Sequence, residues 1–322
     1  MDQTLSPLLK FKDQFTFSPS VINAETITSY SQIVVCGMGG SAISVSLLKL
    51  LFPELPITLH NSYGLPIIYD KEKTLFILNS YSGDTEEVLD TFSRAKKEGL
   101  TLAALSKGGQ LLTEIKAFGG AYVELPEISL EPRFAIGHQM VGILSILGEN
   151  DKIKALLRTV ELLNIRKAQE QGESLAKTFA DKYPVLYTSS NFYPVAYLIK
   201  AAINEGAKIP SFVNQIPEAN HNELQSFVTD NVSSEKDHFG FLFITSAFDH
   251  VRILKRCTVM KTLYEERGFT TFTLPSNHTD MLSIFETLLT GYFMATYMAL
   301  AKNIDPYTTP LIALFKKKLA EK

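Results

Sequence analysis

This chain of 322 residues has few cysteines, lacks tryptophan and carries a small net charge. It has two cysteines, Cys36 and Cys257, and no tryptophan. Two cysteines are too few for a disulfide framework, so both thiols are expected to be free and the compartment reducing. A net charge of −3 offers no basic face of the kind that attracts nucleic acid. Nucleic acid is therefore not expected as a partner.

Export and membrane signals are also missing from the sequence. The first residues hold no apolar core of a signal peptide, which predicts a cytoplasmic protein. The longest apolar stretch, residues 281–301, contains Glu286 and several Thr and Tyr residues, and it predicts a buried helix rather than a membrane span. The histidines and cysteines show no metal-ligand spacing, so we expect no metal site.

The chain does show short apolar strands that alternate with amphipathic helices, a pattern typical of a doubly wound α/β layer with a parallel sheet. In the first half, the predicted strands are 33–36, 57–59, 74–79, 101–105 and 121–124, and the predicted helices are 41–51, 84–98, 109–118 and 133–148. A long, charged helix predicted at 153–183 could bridge the two halves. In the second half, the predicted strands are 184–188, 208–213, 240–244 and 270–274, and the predicted helices are 193–204, 249–267, 278–302 and 311–321. We therefore expect two αβα domains, residues 1–152 and 153–322.

A glycine-rich turn follows the first predicted strand. Gly37, Gly39 and Ala42 match the dinucleotide pattern G-x-G-x-x-G/A, but the second strand ends at His60 and Asn61 without the acidic residue that binds a ribose. The P-loop pattern is absent as well. Two readings of this turn remain, a tight strand-to-helix turn without a ligand and a backbone site for an anion.

A second turn, Ser80-Tyr-Ser-Gly-Asp-Thr, follows the third predicted strand. One of the hydroxyls of Ser80, Ser82 and Thr85 would be enough to cap the next helix, so the three together exceed what capping requires. Neutral donors at a helix N-terminus suit a phosphate monoester.

These turns and three later motifs occur in a characteristic order. The later motifs are Glu131-Pro-Arg-Phe-Ala, Asn204-Glu-Gly-Ala-Lys and Pro217-Glu-Ala-Asn-His-Asn-Glu, followed by Pro310 and Lys316. The set resembles proteins with sugar-isomerase (SIS) phosphosugar-binding domains, and among them the bifunctional phosphoglucose/phosphomannose isomerase family. The resemblance implies two SIS-type domains and an aldose–ketose isomerase of glycolysis and gluconeogenesis. Such an enzyme interconverts glucose 6-phosphate, and mannose 6-phosphate, with fructose 6-phosphate through a cis-enediolate, without a cofactor.

The resemblance also implies a role for each matching residue. The phosphate ligands become Gly40, Ser41, Ser80, Ser82 and Thr85. The remaining roles fall to Arg133 as the active-site arginine, Glu205 as the catalytic base, His221 as the ring-opening residue, Lys316 as the C-terminal lysine, and Thr309 as the residue tied to acceptance of mannose 6-phosphate. Lys317 and Lys318 adjoin Lys316, and the choice among the three stays open. Phe134 and Gly206 depart from the family's usual residues, which bears on substrate preference. The family further implies a homodimer in which the partner subunit supplies the histidine.

The chemistry of these residue types suits isomerisation independently of the resemblance. A carboxylate such as Glu205 can carry a proton between C2 and C1, and Arg133 can offset the charge of an enediolate oxygen. A histidine such as His221 can move the ring proton. Glu218 and Glu223 flank His221 and are expected to shape its loop.

Two other functions remain open. One is a non-catalytic regulatory protein that binds phosphosugars, although residues 1–31 are too short and too little charged for the DNA-binding segment that such regulators usually add. The other is an aminosugar-phosphate isomerase.

Overall fold

The computed structural model describes residues 2–67, 70–128, 130–227, 235–247, 249–276 and 281–321. The chain divides into two compact units. Leu9–Leu162 form the N-terminal unit, and Leu163–Lys322 together with Met1–Leu8 form the C-terminal unit. The boundary expected after residue 152 falls inside a helix of the N-terminal unit, Asn150–Glu161.

Among its described residues, the N-terminal unit holds a five-stranded parallel sheet with the strand order β2-β1-β3-β4-β5. Every residue of the central strand β3 is buried, because helices cover both faces of a sheet of this kind. The strands are β1 (Gln32–Cys36), β2 (Ile57–His60), β3 (Thr74–Asn79), β4 (Thr101–Ser106) and β5 (Ala121–Glu124).

The first helix, α1 (Asp2–Leu9), belongs to the C-terminal unit except for its last residue. The helices of the N-terminal unit connect and follow its strands, and they are α2 (Gly39–Leu51), α3 (Glu86–Lys97), α4 (Gly109–Phe118), α5 (Ile136–Ile146) and α6 (Asn150–Glu161). Val88 and Phe92 of α3 pack with Phe76 of β3 and Leu111 of α4 in one apolar cluster. Phe92 is fully buried, so truncating it to alanine should cost about 3–5 kcal/mol.

The described part of the C-terminal unit contains a four-stranded parallel sheet with the order β7-β6-β8-β9. Its strands are β6 (Tyr183–Ser189), β7 (Phe212–Ile216), β8 (Phe239–Ser246) and β9 (Thr270–Ser276). Its helices are α7 (Ile165–Thr178), α8 (Tyr193–Ala202), α9 (Glu235–His238), α10 (Val251–Glu265), α11 (Met281–Ala301) and α12 (Pro310–Ala320). The expected pair of parallel-sheet α/β domains is thus confirmed.

Helix α11 is the core helix of the C-terminal unit. By length and apolar composition it could cross a membrane, and 83% of its most apolar window is buried inside the protein. Glycines let its neighbours approach closely. A Cβ at Gly172 of α7 would lie 2.5 Å from the Cβ of Phe293, and one at Gly291 would lie 2.2 Å from Cγ1 of Ile199 in α8. Helix α11 is therefore the buried helix that the sequence predicts.

Three predicted elements were wrong. The single helix 153–183 is two helices, α6 and α7, because the side chain of Asn164 accepts a hydrogen bond from the Lys167 N–H and starts a new helix. The strand predicted at 208–213 begins only at Phe212, because Lys208 has a φ of 56° and Pro210 has no N–H to donate to a sheet. The helix predicted from residue 133 begins at Ile136, and Arg133 lies in the preceding turn.

Candidate active site

The strand order reverses at β1 in the N-terminal unit. From β1 the chain passes to β2 on one side and then to β3 on the other, and Cys36 at the end of β1 pairs with Leu78 of β3. In open parallel sheets, ligands bind beyond the carboxyl ends of the strands at such a switch point. The glycine-rich turn after β1 and the hydroxyl-rich turn after β3 are therefore neighbours.

The turn after β1 is shaped by glycines that leave room for other backbone. A Cβ at Gly37 would lie 3.0 Å from the carbonyl oxygen of Asn79. A Cβ at Gly40 would lie 2.6–2.8 Å from backbone atoms of Pro132 and Arg133. Real Cβ atoms do not approach backbone so closely, so glycine at position 40 allows the turn that carries Arg133 to lie against the start of α2.

Ser41 joins the two turns. Its side chain is buried, and its Oγ accepts a hydrogen bond from the Tyr81 N–H at 3.3 Å. The Asn79 side-chain amide donates to the Ser41 carbonyl at 3.0 Å. These two hydrogen bonds fix the start of α2 against the turn after β3.

The hydroxyls of the second turn converge on one another. Ser80 Oγ lies 2.8 Å from Thr85 Oγ1, and the Gly83 N–H donates to Ser80 Oγ at 3.1 Å. The Asp84 N–H donates to Ser82 Oγ at 3.3 Å. Thr85 occupies the N-cap position of α3, yet its side chain makes no capping hydrogen bond. Helix capping therefore does not explain these hydroxyls.

A third turn supports the second, and the sequence analysis missed it. A Cβ at Gly83 would lie 1.9 Å from the carbonyl oxygen of Gly108, which follows β4. The Gln110 N–H donates to Asp84 Oδ1 at 2.9 Å, and Lys107 Nζ lies 5.2 Å from the centre of the Tyr81 ring. The Gly108-Gly109 pair after a predicted strand was the available signal.

Arg133 brings a buried positive charge beside these turns. The residue is only 3% exposed, and its Nη1 lies 3.8 Å from Glu131 Oε2. Its guanidinium lies 4.8 Å from the centre of the Phe134 ring, so Phe134 gives the arginine an aromatic surface. Burial, and to a lesser degree the Glu131 carboxylate, raises the pKa of Tyr81 to about 12, so this phenol stays protonated.

Glu205 lies in the C-terminal unit, on a π-helical turn, Ile203–Ala207, that continues α8. Its side chain is half-buried, and π turns of this kind occur frequently at functional sites. Asn204 fixes the chain beyond the turn, since its side-chain amide donates to the Ile209 carbonyl at 2.9 Å. Lys208 Nζ donates to the carbonyls of Glu205 and Thr308, so the backbone around Glu205 lies near the residue that precedes Thr309.

His221 ends a short 3₁₀ turn, Glu218–His221, and its side chain is exposed. Glu218 Oε1 accepts from the Asn222 amide at 3.0 Å, and Glu223 Oε1 accepts from the Tyr187 hydroxyl at 2.6 Å. The expectation that Glu218 and Glu223 shape this loop is confirmed. Burial, with smaller effects of Tyr264 and Glu223, raises the pKa of Tyr187 well above its ordinary value, so Tyr187 remains a donor.

Thr309 and Lys316 lie at the chain's C-terminal end. Thr309 precedes α12, and its side chain makes no capping hydrogen bond. Lys316, Lys317 and Lys318 are all exposed on α12, and their surroundings do not distinguish among them.

The described residues contain no group of three or more His, Cys, Asp or Glu side chains able to hold a metal ion. Both cysteines are free, as expected, and burial raises the pKa of each thiol to about 12.

Comparison with known proteins gives relatives along the whole chain. Residues 168–319 match the bacterial phospho-glucose isomerase C-terminal SIS domain. A bifunctional phosphoglucose/phosphomannose isomerase of Thermoplasma volcanium is 30% identical over 321 residues, which are 97% of this chain and 98% of the relative. A D-glucosamine-6-phosphate 4-epimerase of Sulfolobus acidocaldarius is 31% identical over 214 residues, 65% of this chain and 66% of the relative. Among solved structures, a hypothetical protein from Thermus thermophilus matches with a TM-score of 0.70 and 15% identity, over 99% of this chain and 90% of that chain, which shows a shared fold.

Proposed function

The chain belongs to the bifunctional phosphoglucose/phosphomannose isomerase family, and we propose that it interconverts glucose 6-phosphate and mannose 6-phosphate with fructose 6-phosphate. The observation that carries this proposal is the group of polar donors at the switch point. Ser41, Ser80 and Thr85 lie on adjoining turns, and the backbone of Arg133 lies against one of them. Such a group suits the phosphate that all three sugars share.

The phosphate binds, in this proposal, to the start of α2 and to the turn before α3. Gly40 contributes its backbone N–H at the start of α2, and Ser41, Ser80, Ser82 and Thr85 contribute hydroxyls. Donors at helix N-termini stabilise a phosphate dianion because the helix dipole and the unpaired N–H groups both favour negative charge. A neutral set of donors also lets the product leave, since no tight ion pair must be broken.

Glu205 then acts as the base that moves a proton between C2 and C1 of the open-chain sugar. One carboxylate serves both directions, because it takes the proton from one carbon and returns it to the other. Arg133 offsets the charge on the enediolate oxygen, for which its permanently charged, buried guanidinium is suited. His221 opens the sugar ring by moving the ring proton, and its exposed side chain leaves its imidazole accessible.

Two roles are assigned at the C-terminal end. Thr309 accommodates the hydroxyl at C2 in the mannose configuration, and Lys316 interacts with the substrate from α12. Glu205 and Thr309 belong to segments that Lys208 ties together, which supports a shared task for them. The working form in this proposal is a cytoplasmic homodimer with a shared active site, in which the partner subunit supplies the histidine.

A second candidate, an enzyme acting on aminosugar phosphates, is favoured by the resemblance to the D-glucosamine-6-phosphate 4-epimerase. Both candidates require the same phosphate turns, so the turns alone do not separate them. The substituent at C2 separates the two candidates. Isomerisation converts the C2 hydroxyl of glucose 6-phosphate into a ketone, whereas glucosamine 6-phosphate carries an amino group at C2.

The test is turnover of a panel of sugar phosphates by the purified chain. Glucose 6-phosphate and mannose 6-phosphate are each incubated with the enzyme, and fructose 6-phosphate is measured by a coupled assay. Glucosamine 6-phosphate is incubated in parallel, and its products are identified by NMR. We expect fructose 6-phosphate from the first two sugars. Conversion of glucosamine 6-phosphate alone would favour the second candidate, and binding of all three without turnover would favour a regulatory protein.

A further inference from the structure

Lys208 stands three residues after Glu205 in an unusual backbone conformation. Its φ is 56° and its ψ is 34°, the left-handed region in which a residue with a Cβ is disfavoured. Helix ends of this kind usually carry glycine or asparagine. A lysine at this position is therefore expected to make a stabilising contact with its long side chain.

That contact is made by the ammonium group with three backbone carbonyls. Lys208 Nζ donates to the carbonyl of Glu205, to that of Thr308 at 2.6 Å and to that of Asp305 at 3.3 Å. An ammonium has three N–H donors, so it can donate to these three carbonyls at once. A lysine whose side chain only contacts solvent would not hydrogen-bond to three carbonyls from two segments that are distant in the sequence.

Lys208 donates to the Glu205 carbonyl within the π turn Ile203–Ala207. In a π turn a carbonyl accepts from the N–H five residues later, which here is residue 210. Residue 210 is proline and has no N–H. The ammonium of Lys208 donates to the Glu205 carbonyl at this end of the π turn.

The other two carbonyls belong to a well-fixed bend. The Tyr307 N–H donates to Asp305 Oδ1 at 2.9 Å, and the Tyr307 hydroxyl donates to the carbonyl of Thr4. Pro306 is buried, and its carbonyl oxygen would lie 3.7 Å from a Cβ at Gly206. The bend thus packs against the turn that carries Glu205, and it leads directly into Thr309 and α12.

We propose that Lys208 is a positioning residue for the isomerase reaction, which holds the Glu205 turn against the 305–308 bend through its three carbonyl hydrogen bonds. It acts through the backbone and does not touch the substrate. The inference rests on the proposed role of Glu205 as the base. Removing the ammonium lets the carboxylate move from the position required for proton transfer, so the chemical step slows while phosphate binding is unchanged.

The experiment compares K208M, which keeps the length of the side chain and removes its donors, with K208R and with the control K302M. Lys302 is also an exposed lysine of the C-terminal unit, just beyond α11. In K208M we expect kcat to fall about 10- to 100-fold, with KM for glucose 6-phosphate within about twofold of the wild type. K208R, which keeps the charge and several donors, should recover part of kcat, and K302M should match the wild type.

Hydrogen exchange gives an independent readout of the same contact. In K208M, the amides of residues 203–209 and 303–309 should exchange faster, whereas those of β1 to β5 should not change. Should K208M fail to fold, K208Q serves the same comparison, because its shorter amide cannot reach all three carbonyls.

The outcomes separate the two proposals. A wild-type chain that turns over no hexose phosphate would refute the proposed function, whatever the variants do. If the wild type is active, a folded K208M or K208Q with unchanged kcat would overturn the role of Lys208, whether or not KM rises. The proposed function would still stand after that result.

Discussion

Ser80 Oγ and Thr85 Oγ1 lie 2.8 Å apart in the turn between β3 and α3. Thr85 holds the N-cap position without capping the helix, so its hydroxyl is directed to Ser80 rather than to the backbone. A pair of hydroxyls in contact can reorient together, each donating to an incoming phosphate oxygen while the Gly83 N–H continues to donate to Ser80.

Removing these hydroxyls should weaken substrate binding. T85V keeps the shape of the side chain and S80A removes only the oxygen, so each is expected to raise KM for glucose 6-phosphate about tenfold while kcat changes by less than about twofold. Inorganic phosphate should inhibit both variants less strongly than the wild type. S93A, at an exposed serine of α3, is the matched control. Unchanged KM and unchanged phosphate inhibition in both variants would remove these hydroxyls from the phosphate site.

Gly40 offers a test of the contact between the first turn and Arg133. In G40A the new methyl group would lie 2.6–2.8 Å from the backbone of Pro132 and Arg133, so the turn must move. We expect a loss of about 1–3 kcal/mol in the free energy of unfolding, measured with urea, and a clear loss of activity. G108A is the control, because a Cβ there meets nothing within 4 Å. Equal stability and activity of G40A and the wild type would show that the contact is not required.

His138 predicts how stability depends on pH. The residue is 7% exposed at the start of α5, its ring packs edge-on against Phe17 at 5.5 Å, and burial lowers its pKa to about 4. Its unfolded pKa is near 6.5, so between pH 6.5 and 4 the unfolded chain binds more protons at this site than the folded chain does. Above about pH 6.5, His138 therefore does not lower the free energy of unfolding. As the pH falls toward 4, the free energy of unfolding decreases because of His138, by up to about 3 kcal/mol.

The measurement is urea unfolding at a series of pH values, for the wild type and for H138Q. The variant has no titratable group at this position, so its stability should change less across this window. If both proteins lose stability in parallel from pH 6.5 to 4, His138 is not responsible for the decline.

Much of the fold could be predicted from the sequence because continuous apolar runs bounded by turn residues are typical of buried parallel strands. The strands Thr74–Asn79 and Ala121–Glu124 and the helix Gly109–Phe118 were predicted with their observed bounds. The break between α6 and α7 was missed because hydrophobic periodicity continues on both sides of Asn164. The π turn after α8 was missed for a similar reason, since the apolar pattern does not distinguish a wider turn from an α-helical one.

The candidate site, like the fold, could be predicted only where it depends on local sequence. Local sequence was enough to predict that Ser80, Ser82 and Thr85 share one turn, whose hydrogen bonds the structure gives. The contact of Gly40 with Pro132 and the carbonyl contacts of Lys208 join residues about 90 to 100 positions apart, and no periodicity or motif spacing encodes them. The functional roles of the site residues stay predictions.

Deuterium placed at C2 of glucose 6-phosphate tests the central role of Glu205 most directly. The wild type should form fructose 6-phosphate and lose deuterium from C2, to C1 or to the solvent. E205Q should do neither at more than about one thousandth of the wild-type rate while still binding the sugar phosphate, and E170Q, at an exposed glutamate of α7, should behave as the wild type does. Turnover and loss of the C2 deuterium by E205Q at near the wild-type rate would contradict the role proposed for Glu205.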